Sequence, residues 1–112
     1  MSLTIHRSRQ GGAEIIRAEG RVDSSNAGEF EAATMAAIDA DAALVFDLGA
    51  LTYMSSAGLR VLLVALKANK AKARKVGLAD AQENVANVLK MSGFGAMFTV
   101  GDSVDETIAA LG

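Results

Sequence analysis

From Ala42 to Leu48 the chain is apolar at every position except Asp47. A strand with one wet face alternates apolar and polar residues. A run apolar on both faces must be covered on both, as in the middle of a sheet flanked by helices. After a short loop ending at Ser55, the segment Ser56-Ala57-Gly58-Leu59 opens a helix. Leu59, Leu62, Leu63 and Leu66 follow the i, i+3, i+4, i+7 template, with Val61, Val64 and Ala65 widening the face. Arg60 is the only polar residue between Gly58 and Leu66, so this helix is expected to be largely buried.

Proline is absent, and glycine and capping residues punctuate the rest. Leu3 to Arg9 alternates as a strand, Gln10-Gly11-Gly12 turns, and Ala13 to Gly20 returns as a second strand of a hairpin. Ser24-Ser25-Asn26 offers caps for a helix carrying Phe30, Ala33, Ala37 and Ile38, and Asn26 with Glu29 has capping-box spacing. Val76 to Ala79 reads as a short strand, Glu83 to Met91 as a helix with Val85, Val88 and Leu89 inward, and Ser92-Gly93 as its C-cap. Met97 to Val100 is a last strand. Ser103 with Glu106 caps a terminal helix bearing Val104, Ile108 and Leu111. The expected order is β-β-α-β-α-β-α-β-α. It implies an α/β fold with a mixed, mainly parallel sheet, right-handed crossovers and helices packed on it. At 112 residues the chain is expected to be one domain, residues 1–112.

Composition removes several functions. The net charge of −2 argues against a nucleic-acid partner, and no apolar run approaches the ~20 residues that span a bilayer. The N-terminus, Met1 to His6, alternates at once with no basic-then-apolar leader, and there is no cysteine, so a cytoplasmic location without disulfides or thiolate metal sites is expected. Lys67, Lys70, Lys72, Arg74 and Lys75 crowd the end of the leucine-rich helix, where cations suit the negative end of its dipole. The single histidine, His6, lies on the first strand with no nucleophile beside it. Tyr53-Met54-Ser55-Ser56-Ala57-Gly58 lacks the glycine before the serine that a nucleophile elbow needs. No phosphate-cradling glycine loop is present, and Asp23, Asp39, Asp41, Asp47 and Asp80 lack metal-ligand spacing. No enzyme, cofactor or metal is expected; the chain reads as something acted upon.

A serine stands where the leucine-rich helix begins, near Ser56. At a helix start unpaired N–H groups and the dipole welcome an anion, so a serine there can receive a phosphate. It can equally serve as an N-cap, worth about 1 kcal/mol.

The chain resembles a STAS domain, the fold of the anti-sigma-factor antagonists, over nearly its full length. Gly20-Arg21-Val22-Asp23 is similar to the family's G-x-hydrophobic-D before the first helix, and Phe46-Asp47-Leu48 to its central strand. Met54-Ser55-Ser56-Ala57-Gly58-Leu59 resembles its D-S-x-G-L motif, and Met91-Ser92-Gly93-Phe94 its S-G-hydrophobic turn. The resemblance implies that Ser56 is the phosphorylation site. Ser55 departs from the aspartate usual in the family and is the one competing hydroxyl nearby.

By resemblance the unmodified domain would bind an anti-sigma factor that is also a serine kinase of the GHKL class, freeing a sigma factor. Phosphorylation of Ser56 would release it, and a metal-dependent serine phosphatase would reset it. The contact surface implied is the turn Asp23, Ser24, Ser25 and Asn26, the loop Thr52, Tyr53, Met54 and Ser55, and the helix start Ala57, Gly58 and Arg60. The family also offers an alternative, a subunit gripping the ATPase of a membrane ABC transport system without inserting in the membrane. A small enzyme or ligand carrier on the same fold is a third reading.

Overall fold

The computed structural model describes residues 3–111. Met1 and Ser2, where the expected alternation begins, and the last residue of the 1–112 domain span lie outside them. Strands β1 (Leu3–Gln10) and β2 (Ala13–Val22) form the expected hairpin. Its two-residue turn is Gly11 and Gly12, both at positive φ (57° and 79°), and Gln10 pairs with Ala13 across it. A left-handed pair of this kind matches the twist of the two strands, and glycine adopts it without strain.

The chain continues through α1 (Ala27–Ile38), β3 (Leu44–Asp47), β4 (Leu51–Met54), α2 (Ser56–Ala71), β5 (Val76–Ala79), α3 (Glu83–Ser92), β6 (Thr99–Gly101) and α4 (Val104–Leu111). The sheet runs β1-β2-β3-β5-β6, antiparallel between β1 and β2 and parallel elsewhere, while β4 pairs with β2. The α/β class and the mixed, mainly parallel sheet are as expected. One strand is added: β4 occupies most of the segment read as a loop. Leu51 and Met54 are buried and Thr52 and Tyr53 exposed, so no period of two marks it. Its ladder with β2 shifts register between Gly20 and Arg21, leaving Thr52 of β4 without a partner residue, and Gly20 takes φ 103° there.

β3 is covered on both faces, as its composition demands. Leu44, Phe46 and Leu48 join Phe30 of α1, Leu62 of α2 and Leu89 of α3 in the larger core. The Phe30 and Phe46 rings meet edge to face, 5.7 Å between centroids. On the other face Val45 packs with Ala13, Ile15 and Ala79 beneath Val104, Ile108 and Leu111 of α4.

Local expectations fared unevenly. Gly93, at φ 79°, ends α3 as anticipated, and Ser103 Oγ accepts the Glu106 N–H at 3.1 Å at the start of α4. The capping box at Asn26 does not form, because the asparagine side chain is engaged in the preceding turn. Val88 is only half-buried. The last strand starts at Thr99 instead of Met97, because Gly95–Met97 winds into a 3-10 turn. Among the described residues, no helix is long and apolar enough to cross a membrane.

Candidate functional site

At one corner of the molecule β2 and β4 end and α1 and α2 begin. It arises where β2 exchanges β3 for β4 as its parallel neighbour. Beyond Gly20 the strand pairs with β4, bringing Arg21 opposite Tyr53 and Val22 opposite Met54. Thr52 spans the irregularity, its hydroxyl donating to the Gly20 carbonyl at 2.8 Å. The Ser55 N–H donates to the Val22 carbonyl at 2.9 Å, so the residue before α2 is tied to the end of β2.

The turn from Asp23 to Asn26 is closed from both sides. Asp23 Oδ1 accepts the Ser25 N–H at 2.9 Å and the Ser25 hydroxyl at 2.5 Å, and Oδ2 accepts Arg21 Nε at 3.3 Å. These bonds, Ser25's first, hold the Asp23 carboxyl below the usual carboxylate range despite its exposure to water. Asn26 Oδ1 accepts the Asp23 N–H at 2.9 Å, and its Nδ2 donates to the Arg21 carbonyl at 3.0 Å. The Asp23 carbonyl accepts the N–H groups of Asn26 and Ala27. A sequence rich in Ser, Asp and Asn makes such a turn because short polar side chains stand in for backbone partners.

α2 sits against this frame through Gly58. A methyl group there would lie 2.8 Å from both Met54 Cγ and Val22 Cγ1, closer than carbon atoms pack. The glycine of the motif is therefore a close-approach residue that lets the first turn of α2 rest on β2 and β4.

The N-cap is Ser55, with extended backbone (φ −85°, ψ 177°), and its carbonyl accepts the Leu59 N–H. Its side chain makes no capping bond, and Ser55 Oγ is buried without a partner. Ser56 is the first helical residue and is exposed, so the capping position expected of it belongs to Ser55. The first turn of α2 holds no acidic residue. The positive field of the helix start is thus uncompensated within its own turn.

The residues singled out from sequence divide by burial. Ser24, Ser25, Thr52, Tyr53, Ser56 and Arg60 are exposed, and Asp23, Asn26 and Ala57 half-exposed. Met54 and Gly58 are buried, so they hold α2 in place and present no side chain outward. His6 stands apart on β1, with Nε2 2.7 Å from Glu19 Oε2. Among the described residues, no group of three or more histidine, cysteine or acidic side chains is arranged to hold a metal ion.

Two participants escaped the sequence reading. Arg21 lays its guanidinium over the Tyr53 ring, 4.7 Å from the centroid. Asn84, from the first turn of α3, donates from Nδ2 to the Thr52 carbonyl. Both depend on β4 lying beside β2, so its recognition was the signal needed.

The STAS domain family model matches residues 5–107. A curated relative, the candidate anti-sigma factor antagonist BtrV of Bordetella bronchiseptica, is 37% identical over 100 residues, covering 88% of this chain and 86% of its own. A crystallised anti-sigma factor antagonist from Mycobacterium paratuberculosis superposes with a TM-score of 0.90 at 22% identity, over 98% of this chain and 94% of that one. The anti-sigma factor antagonist SpoIIAA in its unphosphorylated form gives 0.79 at 20% identity, over 97% and 95% of the two chains. The phosphorylated form of this Bacillus cell fate determinant gives 0.73 at 19%, over 99% and 100%. With the family model spanning residues 5–107 and a relative 37% identical over 88% of the chain, this chain belongs to the STAS domain family.

Proposed function

We propose that this domain is an anti-sigma factor antagonist working by partner switching, with Ser56 as its phosphoacceptor. The carrying observation is the contrast at the start of α2, where Ser56 is exposed in an acid-free first turn while its neighbours Ser55, Met54 and Gly58 are turned inward. The names borne by BtrV and SpoIIAA, and the existence of a phosphorylated SpoIIAA structure, support the reading.

In the unmodified state the exposed side chains of Ser24, Ser25, Thr52, Tyr53, Ser56 and Arg60, with Asp23, Asn26 and Ala57, form the contact with an anti-sigma factor that is also a GHKL-class kinase. Transfer of the γ-phosphoryl group of ATP to Ser56 Oγ displaces the hydroxyl proton and leaves ADP. The product adds about −1.5 to −2 charge and three acceptor oxygens to a packed contact, which must then desolvate a dianion. The same dianion meets the positive end of α2 within its own domain. Binding is lost while the fold stays. A metal-dependent serine phosphatase reverses the change.

Incubation with the cognate kinase and ATP tests the assignment. Peptide mapping by mass spectrometry should place a single phosphate on Ser56 and none on Ser55, and Ser56→Ala should abolish it. A phosphate on Ser55, or labelling that survives in Ser56→Ala, contradicts it.

A further inference from the structure

At the other end of α2 lies a surface that the switch does not use. The helix has 16 residues, so at ~1.5 Å per residue its C-terminus is roughly 24 Å from Ser56. Here a groove of about 510 Å³ has an apolar floor of Leu66, Val76 and Phe98 and a wall of Lys70, Arg74 and Lys75. A second concavity of about 370 Å³, lined by Leu78, Leu89 and Val100 with Lys90 at its side, lies across the Gly95–Met97 turn. Ala96 belongs to both, so the turn is a ridge between two apolar hollows. Met97 lines the larger groove and is 57% exposed. Its unbranched side chain can fold over whatever fills that groove.

Helix-dipole compensation accounts for only part of the charge. Lys70 is in the last turn of α2, and Lys72 is tied to Asp41 at 2.7 Å. Arg74 and Lys75 lie beyond the helix, on a loop that is held in place. Ala73 takes φ 58°, the Asn69 carbonyl accepts the N–H groups of Lys72 and Arg74, and the buried Asn69 amide donates to the Ala42 and Lys75 carbonyls. Among the described residues, Lys70, Lys75 and Lys90 make no ion pair, while Arg74 makes no direct one but shares with Lys72 the stabilisation of the Asp41 carboxylate. Three unpaired cations and Arg74 thus surround apolar hollows on a chain whose net charge is −2.

We infer that this pole is a second docking surface, for an acidic amphipathic helix of a partner protein, and that it engages whatever the state of Ser56. Two hollows across a ridge suit two apolar anchors from successive turns of one helix, and the cations suit acids flanking those anchors. A flat bilayer could not fill concave hollows, and a single small ligand would leave one of them empty.

The test is selection of a random library of helical peptides, displayed on phage, against the full domain. Enriched peptides should carry Leu-like anchors a turn apart flanked by Asp and Glu, and their amide-shift footprint should centre on residues 66–76, 89–90 and 95–100. Lys70→Glu/Arg74→Glu/Lys75→Glu should weaken them about tenfold or more, with thermal stability checked in parallel. Lys75→Glu alone, and weakening by added salt, provide the same reading should the triple variant misfold. Ser56→Asp should bind the selected peptides as wild type does, which separates this inference from the switch assignment. Failure to enrich any peptide, peptides without acidic bias, a footprint elsewhere, or dependence on Ser56 would overturn it. So would sedimentation with phosphatidylglycerol vesicles through these lysines, or self-association of the domain through this face.

Discussion

Gly58 and Ser55 illustrate how much of this corner is geometry set by single side chains. Gly58→Ala puts a methyl group 2.8 Å from two buried side chains, one of them the β-branched Val22. We expect overpacking to cost about 1–3 kcal/mol, read from chemical denaturation. A neutral result would mean that α2 rides more loosely on β2 and β4. Asp23 gives a pH signature. Its folded pKa lies below the ordinary value, so its contribution is present above the unfolded pKa of ~3.9 and fades as pH falls through the lower folded value. The destabilisation of Asp23→Asn should therefore be visible at neutral pH and shrink below about pH 4, measured as the gap between two thermal-unfolding curves. A gap that stays constant would remove the carboxylate from the account. At this scale the exposure of Ser56 could not be read from sequence, because two adjacent serines at a helix start differ only in which one is the cap. That choice was made by the Ser55 N–H bonding to Val22, a residue more than thirty positions away.

Among the elements, β3 and α2 were legible because their composition admits one environment each. A seven-residue stretch with one acid must be sandwiched, and a helix with a single polar residue in nine must be buried. Leu62 lies on that helix with no exposed surface. Leu62→Ala should cost about 2–5 kcal/mol through the cavity it leaves, and a shift below about 1 kcal/mol in denaturation would show that α2 is not a core element. β4 was illegible for the opposite reason. It has four residues, its burial does not alternate, and its pairing with the end of β2 is itself irregular, with a register shift between Gly20 and Arg21. The aromatic-cation pair of Tyr53 with Arg21 was hidden along with it. The 3-10 turn at Gly95–Met97 likewise turned an expected strand residue into the exposed ridge on which the second surface is built.

Taken whole, the domain has a polar corner at the start of α2 and a basic, apolar-floored pole at its end. The two should answer differently to ionic strength. The corner pairs Arg21 with Asp23 and mixes Ser56, Tyr53 and Arg60, so the anti-sigma factor should be held with only modest salt dependence. A loss of about tenfold or more in that affinity between low and physiological salt would instead assign the contact to a charged dock. The central claim is that a phosphate on Ser56 breaks the contact without touching the fold. It is tested most directly with protein carrying phosphoserine at position 56, made by translational incorporation, and titrated calorimetrically against the anti-sigma factor beside the unmodified domain. The account predicts an affinity loss of about tenfold or more with thermal stability near that of the unmodified domain, because the helix dipole accommodates the dianion. Equal affinity of the two forms, or lost binding accompanied by unfolding, would contradict it.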